Sequence, residues 1–161
     1  MSTEIVVRRK APAVEVDSQI APSVLMRDTC AIVGPRIIRE HSSVIDGKTY
    51  IHVSGATLLA GIFGYHVREV RVRRIEIGDV GAWEATAEIV RASDGVVLGR
   101  GSSICCDDER GWSKRPQFAR RAMASTRAAG RALRLFFGHA MTMLGDNVAT
   151  TTREEMPDEQ Q

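Results

Sequence analysis

The stretch FARRAMASTRAAGRALRLFFG, Phe118 to Gly138, decides how this chain is read. It carries five arginines (Arg120, Arg121, Arg127, Arg131 and Arg134) and no carboxylate. The pattern around it is helical from Pro116 to Leu144. At about 100° per residue with Arg120 as origin, Arg127, Arg131 and Arg134 fall within about 40° of it. Phe118, Ala122, Ala129, Leu133, Phe136 and Ala140 fall roughly 140–200° away. The spacing therefore predicts a basic stripe and an apolar stripe back to back. The apolar stripe, with Phe136 as a core residue, is expected on a sheet and the basic stripe away from the core.

A solvated helix face normally mixes both signs, because opposite charges at i±4 stabilise a helix and like charges destabilise it. Here Arg127 and Arg131 form a like pair at i,i+4, and Arg131 and Arg134 another at i,i+3. A bound polyanion would relieve that repulsion. Arginine also suits phosphate, since its guanidinium fork donates two parallel hydrogen bonds. Ala128, Ala129, Gly130 and Ala132 are small, which suits close approach of a strand or tight helix–sheet packing.

Upstream of the helix lie three strand signals. HVREVRVRRIEIGD alternates, with Val70 and Val72 on one face and Arg71 and Arg73 on the other, then slips phase at Ile75 and Ile77. A β-bulge near Arg73-Arg74 would absorb the slip. AWEATAEIVRA places Trp83, Ala85, Ala87 and Ile89 on one face, and VVLGRGSSICC follows an SDG turn. Earlier still, Asp46-Gly47 is a hairpin turn dipeptide. Ser54 opens a short helix that Gly64 closes, with Leu58, Leu59, Ile62 and Phe63 on one side. APSVLMRDTCAIVGPRII suits another helix, capped by Ser23 and stopped by Gly34-Pro35.

The fold class is therefore α+β: a three-stranded antiparallel sheet packed on one long arginine-rich helix, with a short helix and a hairpin before it. The expected organisation is a flexible arm over 1–18, one domain over 19–148 and an acidic flexible tail over 149–161. At 161 residues one domain can bury an adequate core without staples. Cys30, Cys105 and Cys106 form no disulfide framework, and the four histidines show no metal-ligand spacing. No secretory leader opens the chain and no apolar run is long enough for a membrane span, so a cytoplasmic location is expected. Net charge is only +2, but Arg110 to Gly145 holds eight basic residues and no acid.

The order of these elements resembles the conserved annealing domain of the Rad-fifty-two family of single-strand DNA annealing proteins. The resemblance runs from Arg39 to Leu144 and rests on YIHVSGATLLAGIFGY, the three strands and a helix containing RALRLFFG. GW…FARRAMASTRAAGRALRL…EEMP also looks like phage and actinobacterial proteins thought to share that fold. The resemblance implies a ring or filament of identical subunits that binds single-stranded DNA in a basic groove. Annealing there is ATP-independent, and a host single-strand-binding protein or recombinase is the implied partner. It assigns DNA contacts to Arg131 and Arg134, and to Arg39 and Tyr50 upstream; Arg127 and Arg120 join them from the helix pattern. Gly130 stands where the family often has lysine, and Phe137 is an extra residue before Gly138.

Annealing needs no covalent chemistry, and no GxxxxGK phosphate loop is present, so neither an enzyme nor a cofactor is expected. Two other readings stay open. Asp107, Asp108 and Glu109 could serve a metal-dependent nuclease, and the basic stripe could serve RNA or a structural phage protein.

Overall fold

The computed structural model describes residues 21–156. Helix α1 (Ala21–Glu40) leads into the hairpin β1 (Ser42–Ile45) and β2 (Lys48–Ile51), then α2 (Val53–Ile62). Strands β3 (Tyr65–Ile77), β4 (Val80–Arg91) and β5 (Val97–Cys106) form an antiparallel sheet in that order. Helix α3 (Gln117–Thr142) packs on all three strands, and a 3-10 turn (Arg153–Glu155) follows. The α+β architecture expected from the sequence is the one observed. No helix among the described residues is long and apolar enough to cross a membrane. The expected N-terminal arm lies outside the described residues.

Local chemistry explains most elements. Asp46 and Gly47 both have positive φ, +49° and +74°, as a two-residue primed turn requires. Helix α1 does not stop at Gly34-Pro35. Gly34 is buried where a Cβ would sit 2.4 Å from the Leu144 carbonyl oxygen, so it is a contact point for the chain after α3. Pro35 removes one helical donor, but the carbonyl it orphans belongs to exposed Ala31. The β3 bulge falls between Glu69 and Arg71, not at Arg73-Arg74. Val70 is the extra residue, and the shift turns Val67 and Val72 toward α3. Arg68, Arg71 and Arg73 face outward opposite Glu88, Thr86 and Glu84.

The long helix is rotated from the expected orientation. Ala124, Ala128 and Ala132 are its fully buried line on the sheet, and Arg120 is only 8% exposed. Phe118, expected on the packing face, is 75% exposed, and Ala122 is exposed as well. Phe136 is partly exposed, whereas Phe137 is buried with Leu133, Ile37, Leu59 and Ile89 in the main core. The physical cause is distance. Gly101 on β5 lies so close to α3 that a Cβ would come within 2.4 Å of the Ala132 nitrogen and 2.8 Å of the Ala128 oxygen. Only a face of alanines fits that gap, and the phenylalanine face does not.

The described part of the expected acidic tail, residues 149–156, packs against the domain. Ala149 and Thr152 are buried. Val148 bridges Thr49 in parallel, with Ala149 N–H donating to the Thr49 carbonyl at 2.8 Å. Residues 157–161 lie outside the described residues.

Gly101→Ala is expected to lower stability by about 1–3 kcal/mol, because the methyl meets helix backbone that must move as a unit. Leu133→Ala should cost about 2–4 kcal/mol through a core cavity. Thermal and denaturant melts of both variants check the close contact and the core separately.

Candidate nucleic-acid interface

The alanine face carries the arginines of α3 down to the sheet, where distant acids meet them. Arg120 donates to the Ser113 carbonyl at 3.1 Å. Its Nε lies 3.3 Å from the Asp107 carboxylate, close enough for charge attraction but without hydrogen-bond alignment. Arg74 holds Asp107 from the other side, donating at 2.9 Å. That hydrogen bond is the main reason the Asp107 carboxyl sits below its ordinary acidity range, with the nearby Arg120 charge adding to it.

Arg127 has a side chain only 11% exposed. Both of its terminal nitrogens bond Glu109, one at 2.8 Å, and its Nε donates to the Glu154 carbonyl at 3.1 Å. Its guanidinium also lies 6.0 Å from the centre of the Trp112 ring. Arg127 thus ties the loop after β5 and the C-terminal segment to the helix. Arg134 is partly covered, 3.2 Å from Glu155. Three of the four arginines read from the helix pattern are therefore paired within the chain. The sequence shows no acid at i±4 because the acids come from loop and C-terminal segment.

Arg131 differs. It is exposed, and among the described residues no acid lies within ion-pair distance of it. It stands beside β5, a sheet edge that no described strand covers. Three depressions run together there. One of about 490 Å³ on the outer sheet face is lined by Val70, Arg71, Thr86, Arg100 and Ser102. A second, of about 230 Å³, shares Ser102 and passes Glu84, Ser103 and Ile104 to Arg131. A third, of about 380 Å³, shares Ser103, Ile104 and Arg131 and ends at Arg127, Glu155 and Met156. The result is a groove over the β5 edge lined by Arg71, Arg100, Arg131 and Arg127 with hydroxyls between them, and also by Glu84, Glu109 and Glu155.

Arg39 and Tyr50 are not brought into this groove. Arg39 is exposed on α1 and pairs with neighbouring Glu40 at 2.8 Å. Tyr50 is half-buried on β2 opposite Ser43. The residues missed by sequence reasoning are Arg71, Arg100 and Ser102. The alternation of Arg71 and Arg73 was visible, but their neighbours depend on strand register. On that outer face Glu88 is only 3% exposed, bonded by Arg68 at 2.7 Å and Arg100 at 2.9 Å. Those two hydrogen bonds, Arg68 first, lower the Glu88 carboxyl below its ordinary range.

Among the described residues no group of His, Cys, Asp or Glu is arranged to hold a metal ion. Asp107 and Glu109 of the acidic run are engaged by arginines. Burial, with Glu109 beside it, pushes the Cys105 thiol up to about 12, so it is no nucleophile at neutral pH. No protein family, curated protein or solved structure matches the chain.

Arg127→Ala is expected to lose about 1–3 kcal/mol. That is less than for a fully buried pair, because Glu109 keeps some access to water. A denaturant melt measures it, and Glu109→Gln combined with Arg127→Ala should restore part of the loss. Acid provides a second check. Glu88 has a lowered folded pKa, so its contribution is whole above the ordinary carboxylate value of about 4.3 and is lost as pH falls through the lowered value. Stability of the wild type should therefore drop more steeply than that of Glu88→Gln below about pH 4, followed by circular dichroism.

Proposed function

We propose that this protein binds single-stranded DNA along the groove over the β5 edge, assembles as an oligomer and anneals complementary strands without covalent chemistry. The observation that carries the reading is Arg131. It is exposed and unpaired by any described acid, and it stands where the groove passes from the sheet face to α3. Arg71 and Arg100 line the groove on one side, each next to an acid (Glu84 at 4.0 Å and Glu88 at 2.9 Å) but with more than half of its side chain exposed, and Ser102 and Ser103 supply hydroxyls. An extended strand needs spaced phosphate contacts and a shallow, open path, and base pairing then proceeds on the exposed edges. The hairpin, short helix, three strands and long helix also stand in the order that the Rad-fifty-two resemblance implies. The outer edges of β3 and β5 have no strand partner among the described residues, which favours assembly with further copies.

The test is fluorescence anisotropy with labelled oligodeoxythymidylate across a salt series. Log affinity should fall with log salt by about 0.7 for each phosphate contacted. Arg131→Ala should weaken binding by about 1–2 kcal/mol and flatten the slope by about 0.7, with the melting temperature unchanged. Annealing of complementary oligonucleotides should fall in parallel, and light scattering should report an oligomer. A flat salt response, or Arg131→Ala indistinguishable from wild type, overturns the site. Preference for RNA of equal length in competition replaces DNA by RNA as the ligand.

A further inference from the structure

The groove ends at Glu155, and the way that carboxylate is held bears on how the groove is used. Thr152 is fully buried against Gly130, where a Cβ would lie 2.4 Å from the Thr152 hydroxyl. The same hydroxyl donates to Glu155 Oε1 at 3.0 Å, and the Thr152 N–H donates to that oxygen at 3.5 Å in a capping box. The Glu154 carboxylate accepts the Val53 N–H at 3.0 Å, which fixes the segment to the start of α2. These contacts, with the Glu154 carbonyl on Arg127, anchor the segment independently of Arg134.

Glu155 is therefore presented to Arg134 by a rigid mount. Its Oε2 lies 3.2 Å from Arg134 Nη2, while Oε1 is committed to the cap. The match is incomplete, because Arg134 Nε is left without a hydrogen-bond partner. Nε is itself buried, so a phosphate that replaces Glu155 meets Nη2 first. Resting on the proposed DNA-binding groove, we propose that Glu155 is a built-in phosphate mimic: it occupies Arg134 until a strand already held at Arg131 delivers its next phosphate. The pair is a single contact, against the two that Arg127 makes to Glu109, and so is the weaker of the two ion pairs. A tethered phosphate arrives at high effective concentration and displaces it. A free phosphate or mononucleotide has no such advantage. Glu155 thus makes the groove selective for continuous strands, and Arg134 a contact that is made late.

The experiment compares wild type, Glu155→Gln, Arg134→Ala and the double variant, using labelled oligodeoxythymidylate with inorganic phosphate as competitor. Glutamine keeps the cap hydrogen bond and removes only the charge, so the melting temperature should hold. In the wild type, Arg134→Ala should weaken binding less than Arg131→Ala does, because the phosphate contact it removes is offset by the Glu155 ion pair that contact displaces. Glu155→Gln should tighten binding by roughly fivefold and steepen the salt slope by about 0.7, because the phosphate at Arg134 then no longer frees a carboxylate that takes a cation back up. Adding Arg134→Ala to Glu155→Gln should cancel that gain. Inorganic phosphate should compete better against Glu155→Gln than against wild type. If Arg134→Ala alone weakens binding as much as Arg131→Ala, Arg134 is an open contact and the proposal is overturned. Binding that depends on Arg131 but is indifferent to Glu155→Gln overturns this proposal and leaves the groove standing. Absence of any oligonucleotide binding by the wild type overturns both.

Discussion

The close contact between α3 and β5 at Gly101 sets the rest of the molecule. A glycine under three alanines brings the helix axis nearer to the sheet than larger side chains allow. At that distance the arginines flanking the alanine line cannot stand clear of the protein. Arg120 and Arg127 lie down along the sheet, and their charged ends reach the loop after β5. That loop supplies Asp107 and Glu109 at the places where two buried cations would otherwise be uncompensated. The acidic run after the third strand is therefore the other half of the arginine helix.

The same contact sorts four similar arginines into different roles. Two are structural clamps, one is held by the C-terminal segment and one is left to solvent. Spacing on the helix does not distinguish them, because all four lie within a narrow arc. What distinguishes them is the partner opposite: the loop for Arg120 and Arg127, the 3-10 turn for Arg134, and the bare β5 edge for Arg131. Charge excess along a sequence therefore marks where cations are concentrated, while tertiary acids decide which of them remain available.

Element type was legible in the sequence wherever it depended on local pattern. The Asp46-Gly47 turn, the three alternating strands and the long helix all carry their signal within a few residues. The orientation of α3 was not legible, because its packing face is made of alanines, which give a weak periodic signal beside Phe118 and Phe136. The stripe opposite the arginines runs through Phe118 and Phe136, and the Gly101 contact turns the alanine line to the sheet instead. The bulge was readable as a phase slip in β3, but its position was not. Moving it from Arg73-Arg74 to Val70 sets which arginines stand beside Thr86 and Ser102. Arg131 was legible as a candidate; the groove that leads to it depends on two strand registers that no local pattern specifies.

The C-terminal segment has a consequence for how the chain reaches this state. Val148 bridges Thr49, and Glu154 closes the start of α2 across 101 residues. The hairpin and α2 are made early by a growing chain, yet their final partners are among the last described residues to emerge. Loop closure of that length adds an entropic cost that local contacts cannot offset until the sheet and α3 have formed. The β3–β4–β5 meander and α3 can assemble from near neighbours, whereas the front of the domain waits. Completion of the fold is thus coupled to the emergence of residues 148–155, and a chain halted before residue 148 lacks the bridge to Thr49 and the Glu154 bond at the start of α2.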